Sequence, residues 1–105
     1  MRLTVIIPRI IFIPNVFSPN DDGNNDNFTI FGRFNLTMIN KLNIYDRWGN
    51  QLFGGVGLTP GDEEHGWDGT FNEKPMQPGV YVYTAELLYE DGVTEVVIGN
   101  ITLVR

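Results

Sequence analysis

Apolar and polar positions alternate along much of the chain, and no segment sustains the 3.6-residue apolar repeat of a helix. In the last third, five successive odd positions are apolar, whereas Thr84, Glu86 and Glu90 occupy even positions of the same segment. The five are Tyr81, Tyr83, Ala85, Leu87 and Tyr89. Short apolar runs of this kind are separated by clusters of Gly, Pro and Asn. The pattern predicts an all-β chain, folded as an immunoglobulin-like two-sheet β-sandwich of about seven antiparallel strands.

Turn residues predict the register of the last hairpin. Asp91-Gly92 suits a two-residue turn, which would pair Glu90 with Val93. That pairing would move the inward face of the last strand to even positions, namely Thr94, Val96 and Ile98. The apolar positions after residue 100 are odd again, so we expect a β-bulge at or beside Gly99.

An earlier hairpin is predicted around residue 49. Four positions share one phase of a half-buried strand and are Leu36, Met38, Leu42 and Ile44. Gly49-Asn50 then suits a primed two-residue turn, which returns the chain through Gln51 to Phe53. The segment 54–66 is expected to be an acidic loop.

The composition of the chain argues against several classes of function. The chain has 105 residues, no cysteine and a formal net charge of −6, so it fits one domain, and its charge argues against a nucleic-acid groove. No apolar run is long enough to span a membrane. His65 is the only histidine and Ser18 the only serine, which argues against a hydrolytic triad. We therefore expect no enzyme.

One loop is a candidate calcium site. Side-chain oxygens occupy alternate positions around Gly23, at Asn20, Asp22, Asn24 and Asp26. Calcium requires six to eight oxygen ligands, which these side chains could supply together with backbone carbonyls and water. The alternative is an Asx-rich turn whose side chains cap their own backbone. No cofactor is required, and calcium remains the one candidate ion.

Aromatic and charged residues suggest further roles. Trp48 and Trp67 each lie beside a glycine, and we expect both to be buried because two indoles form a large share of so small a core. Arg47 is expected to pair with Asp46 or Asp68. The run 62–65, which holds three carboxylates and an imidazole, is interpreted as a solvated loop rather than a metal or acid–base site.

Five segments in order resemble one family. They are Ile13-Pro14-Asn15-Val16-Phe17-Ser18-Pro19-Asn20-Asp21-Asp22-Gly23-Asn24-Asn25-Asp26, Ile44-Tyr45-Asp46-Arg47-Trp48-Gly49, Gly66-Trp67-Asp68-Gly69-Thr70, Pro78-Gly79-Val80-Tyr81-Val82-Tyr83 and Gly99-Asn100-Ile101-Thr102-Leu103. Residues 10–105 resemble the gliding motility-associated C-terminal domain, which is the type B sorting domain of type IX secretion. The family usually has Asn where this chain has Asp46. Residues 1–9 would be the tail of a preceding region.

The resemblance implies a non-catalytic C-terminal signal that directs an attached adhesin or secreted enzyme of the Bacteroidetes lineage across the outer membrane. The implied partners are outer-membrane translocon proteins, with a PorP-like accessory protein among them. The implied location is the periplasm in transit and then the cell surface or medium. Candidate recognition residues are Arg47, Trp48, Gly49, Val104 and Arg105. The alternative is an adhesive immunoglobulin-like module that binds carbohydrate or protein at the cell surface.

Overall fold

The computed structural model describes residues 11–19, 26–32 and 35–105. Nine strands and one 3-10 turn lie in these ranges. They are β1 (Ile11–Phe12), β2 (Val16–Phe17), β3 (Phe31–Gly32), β4 (Leu36–Tyr45), β5 (Gln51–Leu58), the 3-10 turn (Glu63–His65), β6 (Thr70–Phe71), β7 (Lys74–Pro75), β8 (Gly79–Tyr89) and β9 (Thr94–Leu103). The all-β prediction is confirmed. Within these ranges, no helix is long and apolar enough to cross a membrane.

A five-stranded sheet in the order β2-β9-β8-β4-β5 forms one layer of the fold. Its pairs are antiparallel except β2–β9, which is parallel. The ribbons β1–β3 and β6–β7, and a bridge between Phe28 and Trp67, contribute shorter elements. The arrangement is sandwich-like, with nine strands in the described ranges where about seven were expected, and five of the nine are only two residues long.

Aromatic residues join the layers. The Trp67 ring lies 5.2 Å from that of Tyr81, and the Phe28 ring lies 5.3 Å from that of Tyr83. All five odd residues of β8 picked out by the sequence pattern are buried. Packing of the Phe28 and Trp67 segments against this face therefore excludes water from the strongest apolar surface of the chain.

The β8–β9 register corrects the prediction for β9. Leu88 pairs with Thr94, and the turn is closed by hydrogen bonds from Tyr89 N to Val93 O and from Gly92 N to Tyr89 O. The loop therefore has three residues, and the inward phase of β9 stays odd. As a result Val96 and Ile98, expected inside, are exposed together with Thr94.

The predicted bulge at Gly99 is also wrong. The pairing of β8 with β9 runs without a register shift, and Gly99 lies opposite Tyr83. A Cβ on Gly99 would lie 2.5 Å from the Tyr83 hydroxyl oxygen. The glycine is therefore explained by the close approach of the tyrosine ring.

The β4–β5 hairpin has the same kind of turn. Asp46 N donates to Asn50 O and Gly49 N donates to Asp46 O, while φ of Gly49 is 88°. The loop is thus a three-residue one with glycine in the left-handed region, not the predicted primed two-residue turn. The strand continues from Gln51 to Leu58, so residues 54–58 are not part of a loop.

The phase of β4 also differs from the prediction. The register with β8 shifts between Leu36 and Met38 and again between Ile39 and Lys41. Ile39 is consequently buried, whereas Met38 is exposed.

Candidate functional site

All five candidate recognition residues lie at one end of the five-stranded sheet. Tyr45 is the last residue of β4 and pairs with Val82, while Leu103 ends β9 and pairs with Gly79. The loop that follows β4 and the residues that follow β9 are therefore brought to the start of β8. We call this the sheet-end surface. It is formed by Arg47, Trp48, Gly49, Val104, Arg105 and residues 75–82, which lead into and begin β8.

The Asp46 carboxylate holds the loop after β4 in shape. It accepts hydrogen bonds from Trp48 N, Asn50 N and Asn50 Nδ2, each at 2.9 Å. Desolvation raises the pKa of Asp46, but these hydrogen bonds outweigh it and hold the pKa below its ordinary value. The carboxylate stays ionised and is committed to the turn.

Trp48 is displayed rather than buried. Its side chain is 74% exposed, which overturns the burial prediction, and the Arg47 guanidinium carbon lies 4.5 Å from the ring centroid. Among the described residues, Arg47 forms neither of the expected pairs with Asp46 and Asp68. Its positive charge is instead held against the indole by a cation–π contact.

Trp67 is buried, as predicted. It is 1% exposed, its ring lies 5.3 Å from that of Phe17, and its Nε1–H donates to Thr70 O at 3.0 Å. Its backbone N–H and C=O both pair with Phe28. Trp67 is therefore a structural anchor of the core.

A groove of about 610 Å³ runs between the Trp48 loop and the start of β8. Its lining comprises Asp46, Arg47 and Trp48 on one side and residues 75–82 on the other. Tyr81 is one of the lining residues, and its hydroxyl donates to Gln77 O at 2.6 Å. Burial raises the pKa of this hydroxyl, and the positive charges of Arg105 and Arg47 oppose the increase.

Arg105 braces the far wall of the groove. Its Nε donates to Met76 O at 3.2 Å and its Nη2 donates to Gly69 O at 3.3 Å, while Val104 N donates to Phe17 O. Arg105 therefore supports the segment that lines the groove as well as contributing charge. The Pro78-Gly79-Val80 motif carries part of the family resemblance, but no sequence pattern predicts a role for it in recognition, because only folding brings it to the same groove as Trp48.

Two further groups of residues offer oxygen or nitrogen ligands to a metal ion. Asn20, Asp22 and Asn24 of the candidate calcium loop lie outside the described residues, so that prediction stays untested, and Asp26 is half-buried. In the run 62–65, ligand atoms of Asp62, Glu64 and His65 lie within 4.8 Å of one another, and His65 Nδ1 is 2.7 Å from Asp62 Oδ2. Glu64 and His65 are exposed, and such acidic groups are common without a metal.

The sequence of the chain decides its family. The family model of the CHU_C type IX secretion signal domain matches residues 11–103. The chain belongs to this family. No curated protein sequence gives a significant match.

Membership in the signal-domain family supports a C-terminal secretion signal with a non-catalytic sorting role, as the resemblance implied, and does not favour the adhesive alternative. It further implies contact with the secretion machinery, fusion to a cargo and export to the cell surface or the extracellular space.

Proposed function

We propose that outer-membrane translocon proteins of type IX secretion recognise this domain in its folded form through the sheet-end surface. The domain would pass through the periplasm with its cargo attached, and a PorP-like accessory protein would be one of the proteins that bind it. The residues used are Arg47, Trp48 and Gly49 in the loop after β4, and Val104 and Arg105 after β9.

The exposed indole of Trp48 carries this proposal. Exposing three-quarters of a tryptophan to water, beside a groove and under a guanidinium, contributes little to folding stability. Tryptophan and arginine are also the residue types most enriched among those that dominate binding energy at protein interfaces. A role in binding accounts for the placement, whereas packing does not.

The proposal is tested by fusing the 105-residue chain behind a periplasmic reporter protein in a host with type IX secretion. We expect Trp48→Ala to lower the reporter at the cell surface and in the medium several-fold, with the reporter accumulating in the periplasm. Val56→Ala is the matched control, because Val56 is 79% exposed on β5 and does not line the groove. Equal export of the two variants, both folded, would contradict the proposal.

Arg105→Ala gives a second, less direct test. It should lower export as well, but its side chain also holds the carbonyls of Met76 and Gly69. The melting temperature of this variant must therefore be measured beside its export.

A further inference from the structure

Val80 lines the groove, and its backbone N–H and C=O groups point to a side of β8 where no strand lies beside them. The backbone N–H groups of Thr102 and Val104 donate to Asn15 O and Phe17 O, at β2. The backbone N–H and C=O groups of the odd residues of β9 therefore point the other way, toward β8. Gly79 and Tyr81 pair with those odd residues, so by the alternation of an antiparallel pair the backbone of Val80 points away from β9. It points toward the side on which β4 would continue.

β4 does not continue there. Its last pair with β8 is Tyr45 with Val82, after which the chain turns back through Asp46 into β5. Within the described ranges no backbone group bonds Val80 from the groove side, and Val80 is 56% exposed. Its N–H and C=O are available to a peptide that adds beside β8.

Among the described residues, one charged group that lines the groove, the Arg47 guanidinium, has no hydrogen-bonded or oppositely charged partner. Asp46 and Arg47 are the charged residues among those that line it. The Asp46 carboxylate already accepts three hydrogen bonds from its own turn, whereas the Arg47 guanidinium has only the contact with the Trp48 ring in the described structure. A guanidinium in this state suits a carboxylate, which it can bind through two parallel hydrogen bonds.

We propose, on the basis of the function proposed above, that the groove binds an extended segment of a secretion-machinery protein that carries an Asp or Glu side chain beside an apolar one. The main chain of that segment pairs with the backbone of Val80. Its carboxylate binds Arg47, and its apolar side chain packs against Trp48 and the exposed side chain of Val80. Such a segment supplies a backbone partner for Val80, a carboxylate for Arg47 and an apolar surface for Trp48.

A carbohydrate fits the same features less well. Arg47 already covers one face of the indole on which a sugar ring would stack. Outside the Trp48 loop the groove is largely apolar, since Pro75, Met76, Pro78 and Val80 line it together with Gln77, and the Tyr81 hydroxyl already donates to Gln77 O. A sugar would find few side-chain partners for its hydroxyl groups there.

The test uses a displayed library of random heptapeptides, selected on the immobilised 105-residue chain after removal of peptides that bind Trp48→Ala. We expect the enriched peptides to share an Asp or Glu at one position. That preference should disappear in a selection on Arg47→Gln and persist on Lys41→Gln, a matched loss of a cation located in the middle of β4. Enrichment without an acidic position, or none above the Trp48→Ala background, would overturn the inference.

Two measurements on one enriched peptide complete the test. Changing its acidic residue to the corresponding amide should weaken binding about tenfold or more. Hydrogen exchange at the Val80 amide should slow when the peptide is added, whereas the Tyr81 amide is already directed at β9. An unchanged Val80 rate, or Trp48-dependent binding to a glycan array in place of peptides, would contradict the inference.

The two proposals fail separately. If Trp48→Ala loses export while the library yields no acidic preference, the sheet-end surface is still the signal and only its ligand chemistry is wrong. If acidic peptides are selected while Trp48→Ala is exported normally, the groove binds peptides but is not the sorting signal.

Discussion

The two tryptophans should respond in opposite ways to the same substitution. Trp67 is 1% exposed, touches the rings of Phe17 and Tyr81, and satisfies the carbonyl of Thr70. Truncation to Ala removes a large buried ring, leaves a cavity and leaves that carbonyl without its donor. Such changes cost about 3–5 kcal/mol, which is a large share of the roughly 5–15 kcal/mol that stabilises a typical domain.

Trp48→Ala removes a ring that is 74% exposed. The loss is chiefly the contact with Arg47, and an exposed cation–π contact contributes about 0.5–1 kcal/mol. The backbone hydrogen bond from Trp48 to Asp46 survives the substitution because it involves the main chain. The expected cost is therefore at most about 1 kcal/mol, several-fold smaller than at Trp67.

Urea unfolding followed by far-ultraviolet circular dichroism measures both costs without relying on the fluorescence of the replaced residue. The midpoint should fall strongly for Trp67→Ala and little for Trp48→Ala, with similar slopes. Trp67→Phe keeps a ring but not the donor to Thr70 O and should lie between them, since this part-buried acceptor would lose its partner, at a cost of up to about 1–3 kcal/mol. Equal costs at the two positions would refute the assignment of one indole to folding and the other to the surface.

Three further outcomes are expected. Gly99→Ala should destabilise the fold by about 1–3 kcal/mol in the same assay, because its Cβ would collide with the Tyr83 ring. The hydrogen bond that His65 Nδ1–H donates to the Asp62 carboxylate, and then the charge of that carboxylate, raise the pKa of His65, so nuclear magnetic resonance titration should show a value above 6.5 that falls in Asp62→Asn. The stability that the pair contributes through His65 should be present below pH 6.5 and lost as pH rises through the raised value. If the loop 20–26 binds calcium, millimolar calcium should raise the melting temperature relative to chelator, and an unchanged temperature would leave the Asx-turn interpretation.

The alternation of apolar and polar residues correctly predicted which side chains are buried where the strand is regular. The number of residues in a turn could not be predicted in the same way. The odd positions of β8 are buried as predicted because each residue from Val82 to Leu88 has a partner on both sides, and the extra residues at the two register shifts lie in β4. In β9 the same reasoning failed because Asp91-Gly92 is equally compatible with two- and three-residue loops. One extra residue in the turn exchanges the two faces of β9, so Val96 and Ile98 face solvent instead of the core.

The sequence predicted only part of the candidate site, because contacts between residues distant in sequence determine the rest. Trp48 and Trp67 have similar neighbours in the sequence, yet one lies in a hairpin turn and the other pairs through its backbone with Phe28. That pairing joins residues distant in sequence and leaves no local pattern. The same holds for the wall of the groove, which Arg105 attaches to the rest of the surface.

The parallel pairing of β2 with β9 also affects the order in which the domain folds. Val16 meets Thr102 and Phe17 meets Leu103, so the contact closes a loop that contains most of the chain. Contacts of such long sequence separation form slowly, on the order of milliseconds to seconds in sheet proteins. The hairpin that displays Trp48 is local and can form early, but the groove wall braced by Arg105 is assembled only when β9 is in place. A receptor that needs both halves therefore responds to a chain that has finished folding and ignores one that has not.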